Sequence, residues 1–408
     1  MQKQKTKVII VGGGFGGVYT AKNLIKYFNK DEIEITLINK TNYFLFTPLL
    51  HEVATGGLTP DSIVEPIREV FRNCPINFIE DTVIEIRHEE KTILTTKNSY
   101  EYDFLVISSG AETNYFEISG ARENSFTLKN LSDAIALRNH ILDNCEKAVN
   151  SKNKELLSFA IIGAGPTGVE LASELVEYVE HTICSYYKDS GFRKEDIQVT
   201  LITSTPDIIS QFPEKMRAIA MKEMKKRRIN VITNAIADKI EPGLIYFKDG
   251  KSIKTNTIVW VAGVTPTLYE IKGIEAGAKG RIEVNDYLQN IKTPTIFALG
   301  DASGAFPMLA QVAVQQAKTV AQNIYKIYRT GNNVSLDKFI YKQKGLLISL
   351  GQWYAIGNFF GTTFSGKIMW GIRRTVYLFN FLSWRKRFEI AIEWTINMFY
   401  PRDITMLK

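Results

Sequence analysis

Short apolar runs followed at once by glycine turns organise this chain. "KVIIV" ends at residue 11 and "SFAII" ends at residue 162, and an amphipathic stretch follows each turn. An uninterrupted apolar run of this length is typical of a strand buried on both faces of a parallel sheet. A third run, "TPTIFAL", is followed by "LAQVAVQQAKTVAQNIYKIY", which has helical periodicity. The pattern therefore predicts an α/β protein with Rossmann-like strand–turn–helix units.

The glycines in the first two turns have the spacing G-x-G-x-x-G. They are Gly12, Gly14 and Gly17 in the first turn, and Gly163, Gly165 and Gly168 in the second. In this motif the first glycine permits a tight turn, the second lets a pyrophosphate approach, and the third lets the helix pack on the strand. The phosphates bind at the N-terminus of the helix. Two such units predict two bound dinucleotides and hence electron transfer between them.

The third apolar run delivers Asp301 directly after Gly300 and precedes a helix predicted to begin near Leu309 or Ala310. It supplies a late strand for the first nucleotide fold. We therefore expect the second fold to be inserted in the first.

The last part of the chain has a different pattern. Residues 345–366 carry no charge and are broken by glycines, which favours strands of a small sheet over a membrane span. Two helix-like stretches follow, near residues 367–382 and 386–399, with bulky apolar residues on one side.

Charge is also concentrated in this tail. The chain has a formal net charge of +7, and residues 341–408 contain ten Lys and Arg against three Asp and Glu, so the rest sums to zero. The same segment holds four of the five tryptophans. Tryptophans 370, 384 and 394 beside Arg373, Arg374, Arg385, Lys386 and Arg387 predict a pair of helices lying on an anionic lipid surface. A homodimer interface with incidental charge is the alternative.

Cysteine and histidine add little chemistry. The three cysteines are widely spaced and predict no disulfide framework, and the four histidines show no metal-ligand spacing. We therefore expect no metal site.

Three segments carry a resemblance to a known family: "NYFLFTPLLHEVATGGL" at 42–58, "LAQVAVQQA" at 309–317, and the terminal "MFYPRD". With the two glycine fingerprints and the "GD" aspartate, the chain resembles the type II NADH dehydrogenases, single-subunit NADH:quinone oxidoreductases of the two-dinucleotide-binding flavoprotein superfamily. The resemblance implies non-covalent FAD, NADH as donor and a membrane quinone as acceptor, in a respiratory electron-transport enzyme that pumps no protons. It also implies a peripheral membrane protein on the cytoplasmic face of the cell membrane.

The same resemblance implies a domain organisation. We expect residues 1–120 and 271–335 to form the two parts of an FAD-binding domain, with a helical linker at 121–150. An NAD(P)H-binding domain follows at 151–270, and a C-terminal sheet with amphipathic membrane-anchoring helices at 336–408.

Site residues follow by resemblance. The catalytic candidates are Glu170, which would orient the nicotinamide, and the glutamines Gln311, Gln315 and Gln316, which would serve the quinone or the flavin edge. Candidates for binding FAD are Gly12, Gly14, Phe15, Gly16, Gly17, Asn39, Lys40, Thr47, Pro48, Val83, Ser109, Gly110, Gly300, Asp301, Ala310, Gln311 and Lys367. Candidates for binding NADH are Gly163, Gly165, Gly168, Glu170, Thr203 and Gly263. Glu174 and Glu177 are expected to be surface charges.

Two positions depart from the family pattern. Asn39 and Thr203 stand where an acidic residue would hold a ribose. Without a carboxylate at the position of Thr203, nothing there repels a 2′-phosphate, so NADPH remains an alternative to NADH as the donor.

Three other functions are alternatives. A reductase of a soluble protein acceptor would also use a basic face but leaves the tryptophans unexplained. Sulfide:quinone reduction is disfavoured because no cysteine lies beyond Cys184. Binding of nucleic acid by the basic tail is not expected.

Overall fold

A computed structural model describes residues 5–188, 193–267, 270–272, 277, 280–304, 306–331 and 335–407. The chain divides into two compact units. The first comprises Met1–Phe44, Glu65–Glu112 and Thr265–Gln343, and the second Leu45–Val64, Thr113–Val264 and Lys344–Lys408. The finer domain boundaries given above stay a prediction.

The strands of the described residues are β1 Thr6–Val11, β2 Ile33–Asn39, β3 Tyr43–Leu45, β4 Val64–Pro66, β5 Ile76–Glu80, β6 Val83–Arg87, β7 Thr92–Thr95, β8 Ser99–Glu101, β9 Phe104–Ile107, β10 Ala111–Thr113, β11 Ser158–Ile162, β12 Gln198–Ile202, β13 Asn230–Ile232, β14 Ala237–Glu241, β15 Leu244–Phe247, β16 Ser252–Lys254, β17 Thr257–Trp260, β18 Val264–Pro266, β19 Glu270–Lys272, β20 Ile296–Ala298, β21 Leu346–Ser349, β22 Ala355–Phe359 and β23 Thr362–Gly366.

The α-helices are α1 Phe15–Tyr27, α2 Leu50–Ala54, α3 Ile67–Val70, α4 Leu131–Ser151, α5 Pro166–Glu177, α6 Cys184–Tyr186, α7 Glu214–Lys226, α8 Ala310–Thr330, α9 Lys367–Asn380 and α10 Trp384–Ile396. A π-helical turn, Tyr178–Ile183, continues α5.

The first unit is built on a parallel sheet in the order β20-β9-β1-β2-β5. Its central strand β1 is the apolar run that precedes the first glycine turn. Strand β20, late in the chain, pairs with β9 and completes this sheet, so the predicted return of the chain to the first fold is confirmed. A second sheet, β19-β6-β7-β8, belongs to the same unit. Ile9, Leu105 and Ile296 are among the buried side chains of its core.

The second unit repeats the strand–turn–helix arrangement. Strands β13-β12-β11-β17 form a parallel sheet, and β14-β15-β16 form an antiparallel one. Residues 121–150 are predicted to be a helical linker. The second part of this range, from Leu131 onward, forms most of helix α4. This helix begins with a capping box, in which Asn130 and Asp133 satisfy each other's backbone amides.

The tail folds within the second unit. Strands β21-β22-β23 form the antiparallel sheet predicted from the glycine-broken run, and α9 and α10 are the two predicted helices. Ser383 caps α10 by accepting a hydrogen bond from the Lys386 amide at 3.2 Å. No helix in the described part of the chain is long and apolar enough to cross a membrane.

Candidate functional site

The first glycine turn is shaped to receive a phosphate. Gly12 has a φ of +103°, and a Cβ there would lie 2.4 Å from the Ser108 carbonyl oxygen. A Cβ on Gly17 would lie 1.9 Å from the Gly12 oxygen, so both positions require glycine. Beside Gly14, in contrast, there is open space, which is what a close approach of pyrophosphate to the backbone needs. The cradle at the N-terminus of α1 therefore fits a dinucleotide.

The Asn39 side chain is hydrogen-bonded to the backbone of this cradle. Its side-chain oxygen accepts a hydrogen bond from the Gly13 amide at 2.8 Å, and its Nδ2 donates to the backbone oxygen of Thr41 at 2.8 Å. The side chain thus braces the glycine turn, and the amide oxygen keeps one lone pair for a ribose hydroxyl.

The turn that carries Asp301 is held by a buried glutamine. Gln316, which is 0% exposed, accepts a hydrogen bond from the Gly300 amide at 2.7 Å. Its Nε2 has no acceptor among the described residues and is available to a bound group. Gln315 instead exchanges two hydrogen bonds with the Lys342 backbone. Gln315 and Gln316 of α8 therefore have different environments. Helix α8 begins at Ala310, as predicted.

The second glycine turn, in the second unit, repeats the geometry of the first. Gly163 has a φ of +113°, and a Cβ on Gly168 would lie 1.9 Å from the Gly163 oxygen. The space beside Gly165 is open. At the end of β12, the hydroxyls of Thr203 and Thr205 are hydrogen-bonded to each other at 2.8 Å. This cradle fits a second dinucleotide, with no carboxylate at the position of Thr203.

Glu170, in the second turn of α5, is buried. Its Oε1 accepts hydrogen bonds from Arg373 Nη2 at 2.9 Å and from the Ser349 amide at 3.0 Å. Its Oε2 lies 3.8 Å from His51 Nδ1. Arg373 also lies 3.5 Å from the Glu52 carboxylate, so its guanidinium forms ion pairs with two buried acids, Glu52 and Glu170.

Glu170 is part of a larger buried cluster of charges, which we call the acid–arginine cluster. It contains the acids Glu52, Glu170, Glu174 and Glu177 and the arginines Arg227, Arg373, Arg374 and Arg402. Arg227 also lies 3.4 Å from the buried Glu223 carboxylate. A buried charge is tolerated only when it is paired, and each of these acids has an arginine within 4 Å.

The cluster corrects two expectations from the sequence. Glu174 and Glu177 are not surface charges: Glu174 pairs with Arg402 at 2.6 Å, and Glu177 pairs with Arg227 at 3.1 Å. Burial disfavours the Glu174 carboxylate, but Arg402 outweighs it and holds the pKa of that carboxyl below its ordinary value. For Glu177, burial and the neighbouring Glu174 charge raise the pKa.

The tail supplies a third correction. Trp370, Trp394 and Arg373 are buried and do not face outward. Arg374 lies between two tryptophans, with its guanidinium carbon 3.8 Å from the Trp370 ring centre and 4.8 Å from that of Trp394. Burial lowers the pKa of Arg374 to about 10, so it remains charged at neutral pH.

The other basic residues of the helix pair are also engaged. Arg385 and Lys386 pair with Glu389, at 2.7 and 2.8 Å. Arg387 donates hydrogen bonds to the Phe379 and Phe381 carbonyls. The cationic contribution predicted from five free basic residues is therefore reduced.

The large side chains that α9 and α10 expose are mostly apolar. The exposed large side chains recur every three or four residues and so form one stripe along each helix. They are Ile368, Ile372, Val376 and Phe379 on α9, and Trp384, Phe388, Ile392 and Ile396 on α10. We call these eight residues the apolar stripes.

The remaining candidates fall into the two units. In the first unit, Phe15 packs edge-on against Phe44. Val83 is buried, whereas Lys40 is exposed. The Ser109 hydroxyl donates a hydrogen bond to the Thr267 backbone oxygen at 3.4 Å. Gly16 packs against Leu299, and Gly110 has a φ of +74°. Asp301 and Gln311 both make interactions with neighbours. In the second, Thr47 and Pro48 lie in a single 3₁₀ turn, Gly263 packs on Phe116, and Lys367 lies 6.0 Å from the Trp353 ring centre.

Sequence reasoning missed His51, Glu52 and the role of Arg373. The signal was weak but present. "HE" interrupts the apolar stretch "FTPLLHEVA", and α2, which carries it, is buried throughout. Ionisable residues within an apolar helix must find partners, so this pair could have been singled out.

Known proteins resemble this chain along most of its length. Residues 6–317 match the family model described as pyridine nucleotide-disulphide oxidoreductase. The type II NADH:quinone oxidoreductase of Staphylococcus aureus (strain NCTC 8325 / PS 47) is 31% identical over 380 residues, which cover 90% of this chain and 93% of that protein.

Solved structures share the fold. NDH2 from Plasmodium falciparum in complex with NADH superposes with a TM-score of 0.88 at 22% identity, covering 98% of this chain and all of that one. The sulfide:quinone oxidoreductase from Aquifex aeolicus gives a TM-score of 0.75 at 22% identity, covering 97% and 96%. On the family model and the S. aureus relative, this chain belongs to the pyridine nucleotide-disulphide oxidoreductases and, within them, to the type II NADH:quinone oxidoreductase family.

Proposed function

We propose that this chain transfers two electrons, as hydride, from NADH to a non-covalently bound FAD and then to a membrane quinone. The observation that carries the proposal is the presence of two glycine cradles with the same open approach, at Gly14 and Gly165, in a chain of this family. FAD supplies the redox chemistry when it is bound, and the protein supplies position and field.

In the first unit, the α1 cradle would hold the FAD pyrophosphate, and Asp301 would hold the ribitol hydroxyls. Gln316 fixes the Gly300 amide and so sets the position of Asp301. The N-terminus of α8, at Ala310, would direct its positive dipole end towards developing negative charge on the flavin ring. Gln311, Gln315 and Gln316 remain our candidates for the quinone or flavin edge.

In the second unit, the α5 cradle would hold the NADH pyrophosphate. Glu170, one turn further along the same helix, would orient the nicotinamide end. Because Oε1 already accepts two hydrogen bonds, we expect Oε2, which lies 3.8 Å from His51 Nδ1, to be the oxygen that interacts with the nicotinamide.

We further propose that α9 and α10 dock on a lipid surface from the cytoplasmic face of the membrane. The apolar stripes support this, since a large exposed apolar area marks an interaction surface. Phe360 and Phe364 of the β22–β23 hairpin are also exposed. A lipid-soluble acceptor requires an enzyme that reaches the bilayer, so the docking surface and the acceptor are consistent with each other.

An anaerobic titration tests the electron path. The purified protein receives NADH or NADPH while the visible absorption of the oxidised flavin is followed, and a short-chain quinone is then added. Bleaching by NADH and recovery on quinone addition, both as fast as turnover, are expected. Bleaching without recovery would refute the quinone step and favour a soluble protein acceptor.

A further inference from the structure

We propose that Arg373, on helix α9, is a positioning residue for Glu170 and thereby for the nicotinamide of NADH. This inference rests on the proposed function, because it concerns the step in which NADH delivers hydride. Arg373 itself would not contact the substrate. It acts by fixing the Glu170 carboxylate.

The geometry around Glu170 supports this role. Arg373 Nη2 and the Ser349 amide both donate to the same oxygen, Oε1, at 2.9 and 3.0 Å. Two donors on one oxygen restrict the rotamer of the carboxylate and leave Oε2, 3.8 Å from His51 Nδ1, as the other acceptor. Without Arg373, Oε1 would keep the hydrogen bond from the Ser349 amide but lose its charged donor.

Arg373 is itself held in place by contacts from another helix and from its own helix α9. Its Nη1 lies 3.5 Å from Glu52 Oε1, and the other oxygen of Glu52 accepts a hydrogen bond from Trp394 Nε1 at 2.7 Å. The Arg373 guanidinium also lies over the Tyr377 ring, 4.4 Å from its centre. Helix α10 therefore fixes Glu52, Glu52 helps to fix Arg373, and Arg373 fixes Glu170.

This chain of contacts has a functional consequence. Helices α9 and α10, which carry the apolar stripes, also supply the contacts that orient a carboxylate on the nucleotide-binding helix α5. The helix pair is thus part of the NADH site as well as a docking surface. Displacing the pair should slow hydride delivery even when NADH still binds.

A purely structural ion pair is the competing explanation, and a second buried arginine, whose carboxylate partner is half exposed, serves as a control. Arg138 is also 1% exposed and pairs with one carboxylate, Asp403, at 2.9 Å, with no contact to Glu170 given by the structure. Arg138→Gln and Arg373→Gln each remove a buried guanidinium from its partner. Only the second releases Glu170.

The experiment compares Arg373→Gln, Arg373→Lys, Arg138→Gln, Glu170→Gln and the double variant Glu170→Gln/Arg373→Gln. Each is purified with FAD, and its flavin content and melting temperature are recorded. Stopped-flow flavin bleaching over a range of NADH concentrations then separates the limiting rate from the apparent Kd.

We expect Arg373→Gln to lower the limiting rate about 10- to 100-fold, the effect of a small misplacement of a substrate-orienting group. The apparent Kd for NADH should change little, because the pyrophosphate cradle is intact. Arg373→Lys should recover part of the rate, since an ammonium can pair with one carboxylate but not hold two in a fork. Adding Arg373→Gln to Glu170→Gln should cause little further loss.

Three results would overturn the inference: a wild-type limiting rate in Arg373→Gln, an equal loss in Arg138→Gln, or the full Arg373→Gln effect in the Glu170→Gln background. If Arg373→Gln is purified without flavin, the test rests on Arg373→Lys. A wild-type limiting rate in Arg373→Lys would then reject the positioning role of Arg373. Absence of bleaching by NADH in the wild-type protein would instead refute the proposed function, and the inference with it.

Discussion

Removing the apolar stripe of α10 should release the protein from membranes. The variant to make is Trp384→Ser/Phe388→Ser/Ile392→Ser, which replaces three exposed side chains on one face of the helix. The changes should leave folding almost intact, because exposed positions away from the core tolerate substitution.

The magnitude follows from the exposed area. Fully burying an isoleucine side chain is worth about 1.5–3 kcal/mol, and Ile392 is 57% exposed, so transfer of that surface into lipid contributes about 1–1.5 kcal/mol. Trp384 and Phe388 expose larger rings. Three such terms sum to about 4 kcal/mol, which corresponds to a loss in partitioning of roughly 10³-fold.

The assay is sedimentation with vesicles containing anionic phospholipid, at low and high salt. The wild-type protein should stay bound at high salt, since Arg385 and Lys386 are already paired with Glu389 and the apolar contribution dominates. Turnover with a short-chain quinone in solution should be unchanged in the variant, whereas turnover with a quinone embedded in vesicles should fall in parallel with binding.

The matched control is Ile236→Ser. Ile236 is 48% exposed in the same unit but lies outside α9 and α10. An equal loss of binding in this control, or undiminished binding in the triple variant, would refute the reasoning. If the wild-type protein is a dimer in solution and the triple variant is a monomer with unchanged vesicle binding, the stripe is a homodimer interface.

Three further predictions concern the two cradles and the buried charges. Gly14→Val should abolish FAD binding, whereas Gly165→Val should purify with FAD but fail to bleach with NADH; loss of flavin from both would argue against separate sites. Thr203→Asp should raise the NADH-over-NADPH ratio of kcat/KM about tenfold by repelling a 2′-phosphate, and an unchanged ratio would exclude this position from the ribose site. The pKa of Glu174 is lowered by Arg402, so its contribution to stability is present above its ordinary pKa and is lost as pH falls through the lower value of the folded state. Urea unfolding against pH should show this acid-side loss, and Glu174→Gln should remove it while costing about 3–5 kcal/mol at neutral pH by leaving Arg402 unpaired.

Much of the architecture could be predicted because it depends on local patterns. The runs before Gly12 and Gly163 became the central strands β1 and β11, and the glycine spacings became two cradles of the same shape. The start of α8 at Ala310 and the small sheet of the tail were also visible, because helix periodicity and glycine breaks act over a few residues.

The environment of the charged residues could not be predicted in the same way. Nothing in the local sequence distinguishes Glu174, Arg373 and Arg402 from charged residues that are exposed to solvent. Only the fold shows that they are buried together, from segments separated by some two hundred residues.

The sequence by itself determined the two nucleotide folds, their nesting and the family, since these rest on strand, turn and glycine patterns with a local physical cause. The tertiary structure decided which charges face water and which face each other. That decision depends on packing between distant segments, because a charge can be buried only where a partner from elsewhere in the chain compensates its lost hydration. For that reason the contact of Arg373 with Glu170, and the apolar stripes on the exposed faces of the helix pair, emerged only from the folded protein.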